Sequence, residues 1–276
     1  MSDVKTYLRQ HKLPSIWCPG CGDGTIVASI VRAVDALGWD RDNVVMATGI
    51  GCSARSNVIV DFNTFQTTHG RVLAFATGFK AVKPEMHVMV VTGDGDGAGI
   101  GGNHFIHAAR RNVDVTMIMI NNNIYGMTGG QYSPLSPIGT LASTAPLGTI
   151  EPPFDTCELA MAAGATYVAR STVYHVNLTA DLIKEALEHK GFSFVEVISQ
   201  CPIGYGRRNK MGTPSDMLKW QRDNSVNIKA AEKMKPEDLQ GKFLIGELLR
   251  RDDRLEYFEA YKQMRELSKQ RKRGEE

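Results

Sequence analysis

Short, dense apolar runs alternate along this chain with amphipathic or glycine-rich stretches. Residues 44–48, 87–92, 115–120, 166–169 and 193–199 are apolar at most positions, the pattern of strands covered on both faces. Between them, residues 25–37 place Ile26, Ile30, Val34 and Leu37 at helical spacing, and residues 103–111 and 178–190 also read as helices. This alternation predicts an α/β fold, a mostly parallel sheet with helices on both faces. Residues 126–153 are rich in Gly, Pro, Ser and Thr. A loop that long inside a compact domain is usually functional, often an active-site cover.

After Cys201 the texture changes. Residues 204–216 are basic and glycine-rich, and the chain then becomes helical and highly charged. The expected organisation is one domain over residues 1–203 and an extension over 204–276, a basic loop and charged helices. Leu255, Phe258, Tyr261, Met264 and Leu267 form one apolar stripe in that extension. Such a stripe serves either packing on its own domain or docking on a partner subunit. Residues 269–276 read as a solvated tail.

Composition narrows the function. With 276 residues and 42% hydrophobic content, the chain buries a full core. Its 32 basic and 30 acidic residues leave a net charge of only +2, which argues against nucleic acid as a partner. No apolar run is long enough to span a bilayer, and the N-terminal residues lack the apolar core of a signal peptide. The expectation is a cytoplasmic protein with no membrane partner. Five cysteines, an odd number without an export signal, point to metal or redox chemistry rather than a disulfide framework.

The strongest motif is VVTGDGDG at residues 90–97, followed by a helix, a strand and Asn121-Asn122-Asn123. A strand entering a glycine-rich loop lets backbone N–H groups approach phosphate oxygens, and a helix N-terminus favours the negative charge. Asp94 at the strand end offers a hard oxygen ligand, and Asn122 leaves the next strand at the same sheet edge. One carboxylate, one amide oxygen and one backbone carbonyl, completed by phosphate and water, suit Mg²⁺. A GDG taken alone is equally an acidic turn.

Trp17-Cys18-Pro19-Gly20-Cys21-Gly22 is a tight metal knuckle. By itself it reads as half a zinc ribbon, half an iron–sulfur site or a redox dithiol. A ribbon needs a second close cysteine pair, and the remaining cysteines, Cys52, Cys157 and Cys201, are isolated. Cys52 and Cys201 each follow an expected strand and so reach the sheet edge that carries Asp94. Four thiolates converging from separate loops suit a [4Fe–4S] cluster. Cys157, at an expected helix start, reads as a buried packing residue.

Followed one helix and one strand later by NN-x-x-YG, the GDG resembles the motif of thiamine-diphosphate enzymes. That resemblance implies Asp94, Asn122 and the Ile124 carbonyl as Mg²⁺ ligands, with Gly93, Gly95, Asp96, Gly126 and Met127 near the diphosphate. The three consecutive asparagines leave the register open by one; Asn122 is preferred because it sets Ile124 before Tyr125-Gly126. Together, WCPGCG, GIGCS, THGR, GDGDGAGIGGNHFIHAARRN, NNNIYGMTGGQ and SQCP resemble the beta subunit of 2-oxoacid:ferredoxin oxidoreductases, in the family's order over most of residues 16–203. The resemblance implies Cys18, Cys21, Cys52 and Cys201 as cluster ligands, Ile50, Gly51 and Ser53 beside thiamine diphosphate, and His69 in the cofactor pocket.

The implied reaction is coenzyme A-dependent oxidative decarboxylation of a 2-oxoacid, with electrons passing to ferredoxin. No glutamate here stands out as activator of the cofactor's aminopyrimidine, and the resemblance places that group on an alpha subunit, in a dimer of alpha–beta heterodimers. Among substrates 2-oxoglutarate is favoured over pyruvate. Arg55, three residues after Cys52, offers a guanidinium for the distal carboxylate. Two other readings stand beside this one: a non-redox thiamine-diphosphate decarboxylase or synthase subunit, and a zinc-stabilised interaction module.

Overall fold

Strand Val44–Thr48 (β1) is buried at all five positions, and the sheet around it explains why. In the computed structural model, which describes residues 4–273, the remaining strands are Asn63–Gln66 (β2), His87–Gly93 (β3), Thr116–Asn121 (β4), Ile124–Tyr125 (β5), Gln131–Tyr132 (β6), Tyr167–Thr172 (β7), Ser193–Ile198 (β8), Ser225–Asn227 (β9) and Phe243–Arg250 (β10). Eight of them form one sheet in the order β2-β1-β3-β4-β8-β7-β10-β9, and β5 pairs with β6 apart from it. From β2 to β7 every pairing is parallel. β10 joins β7 antiparallel and takes β9 as a parallel neighbour.

Side-chain alternation divides the core between the two faces. Met46, Met89, Val91, Ile118, Ile120, Val195 and Val197 face helices Asp23–Leu37 (α1) and, later in the chain, Val176–Glu188. Val45, Ala47, Val88, Val90, Met117, Met119 and Phe194 face the other layer. That layer holds Val72–Val82, Gly102–Arg111 and Thr156–Ala163. With the short helix Ser56–Ile59 (α2), these become α3, α4 and α5, and Val176–Glu188 becomes α6. Ile26, Ile30 and Val34 of α1 are fully buried, as their spacing predicts.

β1, β3, β4 and β8 all end at one edge of the sheet. From β1 the order runs to β2 on one side and to β3 on the other, so the chain reverses its winding between β1 and β3. Loops diverge at such a point and open a crevice beyond the strands' C-terminal ends. The loop after β1 carries Cys52, and the loop after β3 carries Asp94.

The segment after residue 203 departs from the expectation of charged helices alone. It contains helices Pro214–Asn224 (α7) and Ile228–Ala231 (α8), but it also supplies β10 to the main sheet. Gly246 at φ 120° and a register shift between Glu247 and Leu249 break the alternation that marks a strand in sequence. Four of the five stripe residues lie on helix Tyr257–Arg273 (α9), and Leu255 precedes it. Phe258 packs on the second core layer, whereas Tyr261, Met264 and Leu267 are about half exposed, at 49%, 55% and 59%. The expected tail overlaps α9 up to residue 273; residues 274–276 lie outside the described residues, as do 1–3.

One polar chain, buried except at Asp155, joins four elements. Arg170 on β7 bonds Glu196 on β8 through Nε at 2.6 Å and Asp155 through Nη2 at 2.6 Å. Asp155 caps α5 by accepting from the Cys157 and Glu158 amides. Glu196 also accepts from Asn121 Nδ2 at 2.7 Å. Arg170→Met leaves Glu196 buried without its cation, so the folded chain should lose about 3–5 kcal/mol. Urea unfolding measures this, and a loss below about 1 kcal/mol would show that the network does not hold these elements.

Candidate active site and cysteine cluster

Three strand ends and one helix-entry loop line a cavity at the sheet's C-terminal edge: Ile50–Ser53 after β1, His69 before α3, Gly93–Asp96 after β3, and Asn122 with residues 124–128 after β4. Every residue expected at the thiamine-diphosphate site is among them.

Asp96 determines how these loops sit. Its carboxylate, 3% exposed, accepts from Thr92 Oγ1 at 2.7 Å, from the Gly70 amide at 2.7 Å and from the Ile50 amide at 3.4 Å. His69 Nδ1 lies 2.7 Å from Oδ1, off the hydrogen-bond axis. A Cβ on Gly49 would collide with this carboxylate, so the glycine is required by close approach. The sequence reading set Asp96 near the diphosphate. It borders the cavity, but its oxygens serve the protein's own loops.

Asp94 is the second buried carboxylate at the cavity. Burial pushes it up to about 7, against the pull of the Ser133 hydroxyl and the Gly95 and Ile124 amides. Ser133 Oγ donates to Asp94 Oδ2 at 2.5 Å. Ser133 stands 39 residues from Asp94, and no local signal in the sequence marks it.

The three asparagines take separate roles. Asn121 turns into the core toward Glu196, Asn123 adopts φ 61°, and Asn122 borders the cavity. Asn122 Oδ1 accepts from the Ile124 amide at 3.3 Å, the amide that also faces Asp94. Asp94, Asn122 and Ile124 therefore meet at one point. A buried carboxylate with its charged form uncompensated, beside an amide oxygen, fits a hard divalent cation.

Tyr125 explains why the two halves of the motif occur together. Its hydroxyl donates to the Gly95 carbonyl at 2.9 Å, and a Cβ on Gly95 would enter its ring. The GDG turn is thus clamped by the YG that follows β4.

Cys18, Cys21, Cys52 and Cys201 gather beside this cavity, and Cys52 lines it. A Cβ on Gly126 would stand 3.2 Å from Cys201 Sγ and 3.9 Å from Cys52 Sγ, so the two sulfurs flank that glycine. Cys201 Sγ accepts from the Gly204 amide at 3.3 Å, and Trp17 Nε1 donates to the Cys52 carbonyl at 2.8 Å. Burial pushes the Cys52 thiol up to about 12, helped by Asp23, Cys201 and Cys18 and opposed by Arg55. Burial, then Asp23, raises Cys21, which also feels Cys201; burial raises Cys201. Among the described residues no group of three or more His, Cys, Asp or Glu side chains is placed to hold a metal ion.

Cys157 stands apart. It is 1% exposed, with Sγ 3.5 Å from Glu196 Oε2, a packing residue as its sequence context predicts.

Arg55 is not among the residues lining the cavity, and its charge acts on the neighbouring Cys52. A spacing of three residues from Cys52 places it on the same loop but does not say which side of the loop it occupies.

The chain is similar to known proteins. The family described as thiamine pyrophosphate enzyme, C-terminal TPP binding domain, matches residues 43–197. A relative from Methanothermobacter marburgensis named 2-oxoglutarate synthase subunit KorB is 52% identical over 241 residues, covering 87% of this chain and 85% of its own. The chain belongs to the family of 2-oxoacid:ferredoxin oxidoreductase beta subunits. A second beta-subunit relative, 2-oxoglutarate oxidoreductase subunit KorB from Mycobacterium tuberculosis, is 44% identical over 68% of this chain and 50% of its own. The solved 2-oxoglutarate:ferredoxin oxidoreductase from Magnetococcus marinus, with 2-oxoglutarate, coenzyme A and succinyl-CoA bound, matches at TM-score 0.84 and 36% identity, covering 96% of this chain and 90% of that one. This beta subunit is accordingly part of a thiamine-diphosphate oxidoreductase. No helix among its described residues is long and apolar enough to cross a membrane.

Removing the Asp96 acceptor leaves the Gly70 amide without that partner and the Thr92 hydroxyl with only the Gly93 carbonyl. Asp96→Ala should lower stability by about 1–3 kcal/mol and speed hydrogen exchange at the Gly70 amide. Unfolding and exchange measured together check this; unchanged exchange at Gly70 would mean the loop is held by other contacts.

Proposed function

We propose that this chain holds thiamine diphosphate through Mg²⁺ in the cavity and a [4Fe–4S] cluster on Cys18, Cys21, Cys52 and Cys201. Joined to an alpha subunit, it carries out coenzyme A-dependent oxidative decarboxylation of 2-oxoglutarate and passes the electrons to ferredoxin. The observation that carries this reading is the double position of Cys52. It borders the cavity with Asp94 and shares Gly126 with Cys201, so the two centres meet at one residue.

Bound thiamine diphosphate supplies the carbon nucleophile and the electron sink for departing CO₂, and the cluster supplies a one-electron acceptor. The chain's own residues bind and orient. Asp94, Asn122 and the Ile124 carbonyl would hold Mg²⁺, and the glycines at 93 and 95 leave backbone groups open to phosphate. Asp96 fixes the Ile50 and Gly70 loops, which keeps His69 at the cavity wall. Ile50 and Met127 put apolar side chains on the rim, 40% and 43% exposed, a surface that an alpha subunit would cover to exclude water. The preference for 2-oxoglutarate rests on the names of the relatives rather than on Arg55. Two alpha–beta pairs would form the whole enzyme.

Metal and cofactor analysis of the co-expressed complex, with an anaerobic visible spectrum, tests the reading. Iron, sulfide and thiamine diphosphate together are expected. Thiamine diphosphate without iron would indicate a non-redox enzyme, and zinc alone an interaction module.

Two variants separate the sites. Asp94→Ala should lose thiamine diphosphate on gel filtration and keep the cluster spectrum, because the thiolates lie on other loops. Cys201→Ser should lose iron, whereas Cys157→Ser should keep it. The reverse pattern by iron analysis would show that the fourth ligand is misassigned.

A further inference from the structure

The long loop over residues 126–153 reaches back to the cavity through a turn closed by serines. Ser133 and Ser136 are 2% and 3% exposed, and the Ser136 amide donates to the Ser133 carbonyl at 3.0 Å. Ser136 Oγ accepts from the Ser133 amide at 2.9 Å and donates to the Asn123 carbonyl at 2.5 Å. Leu135, between them, is buried in the second core layer. Hydrogen bonds and packing therefore seat the turn between the two halves of the motif. The direction of the Ser133 hydroxyl follows from its neighbours. Its oxygen already accepts from the Leu135 amide at 3.3 Å, which leaves the hydroxyl hydrogen for Asp94 Oδ2 at 2.5 Å. Asp94 in turn lines the cavity with Asn122 and Ile124.

We propose that Ser133 is a positioning residue for Mg²⁺, pinning one oxygen of Asp94 and so setting how the carboxylate faces the cavity. This deepens, and rests on, the reading that Asp94, Asn122 and the Ile124 carbonyl hold the cation. Ser133 is not among the residues that line the cavity, so it acts through Asp94. A ligand whose rotamer is fixed beforehand does not have to be ordered when the ion arrives. Ligating carboxylates are themselves hydrogen-bonded, and losing such a partner costs about 10–100-fold in metal affinity. The same bond ties the long loop to the cation site, because the turn that carries Ser133 is anchored by Leu135 in the core and by Ser136 at Asn123.

The test is equilibrium dialysis of the co-expressed alpha–beta complex, stripped with a chelator, against thiamine diphosphate while Mg²⁺ is varied. Ser133→Ala should raise the Mg²⁺ concentration for half-maximal cofactor retention by about 10–100-fold. Ser133→Thr keeps the hydroxyl and should stay close to wild type. Ser136→Ala removes the tie to Asn123 but leaves the hydroxyl on Asp94, so it should shift the Mg²⁺ dependence far less than Ser133→Ala. If Ser133→Ala fails to assemble with the alpha subunit, Ser133→Cys takes its place; it keeps the size, weakens the donor and should likewise weaken Mg²⁺. An unmoved Mg²⁺ dependence in the variant that lacks the hydroxyl overturns the proposal. Equal losses in Ser133→Ala and Ser136→Ala also overturn it, since the turn would then matter only as scaffold. Cofactor retention by the wild-type complex without any divalent cation would instead overturn the cation reading on which the proposal stands.

Discussion

The carboxylate of Asp96 is the contact on which the cavity's shape depends. It sits at the mouth of β3 and receives donors from β3 itself, from the loop after β1 and from the turn before α3. A buried carboxylate is tolerated when donors surround its oxygens, and here those donors belong to the segments that must converge. The glycines nearby follow from this. Gly49 leaves room for the carboxylate, and Gly95 leaves room for Tyr125. Asp94, two residues earlier, is held by the Ser133 hydroxyl and by amides that include Gly95 and Ile124. Two aspartates in a single motif thus differ in which segments they tie: Asp96 joins the loop after β1 and the turn before α3 to β3, and Asp94 faces the cavity beside Asn122.

A second constraint works from below the site. Asn121, Glu196 and Arg170, all buried, and the exposed Asp155 form a continuous polar chain from the end of β4 to the start of α5. By turning Asn121 inward, it sets which asparagine faces outward. The alternation of a strand then places Asn122 on the cavity side, beside the amide of Ile124.

Much of this was legible in the sequence. β1, β3 and β8 are dense apolar runs, and the structure places them within a residue of where the pattern predicts. The second half of β7 was not, because Arg170, Ser171 and Thr172 are polar yet buried: Arg170 is satisfied by Glu196 and Asp155, and Ser171 and Thr172 by Thr179 and His175. α3 escaped notice because its apolar residues cover more than one face, with Phe75 and Val82 exposed, which blurs the helical period. β2 is a short, polar edge strand. The cavity residues were legible through motifs, since close backbone approach demands glycine at fixed places. Ser133 was not, because it reaches Asp94 across a loop that shows no period. Where Arg55 points was not legible, because linear proximity to Cys52 does not determine which side of the loop a side chain takes.

The antiparallel seat of β10 against β7 bears on how the chain is made. During synthesis, β1 through β8 emerge in order and can pair as they appear, but the outer edge of β7 has no neighbour until residues 243–250 leave the ribosome. An open strand edge is a template for pairing with other chains. The interval between completing β8 and adding β10, about forty-five residues of translation at roughly 5–20 residues per second, is therefore a window of a few seconds in which the nascent sheet is exposed to aggregation and to chaperones.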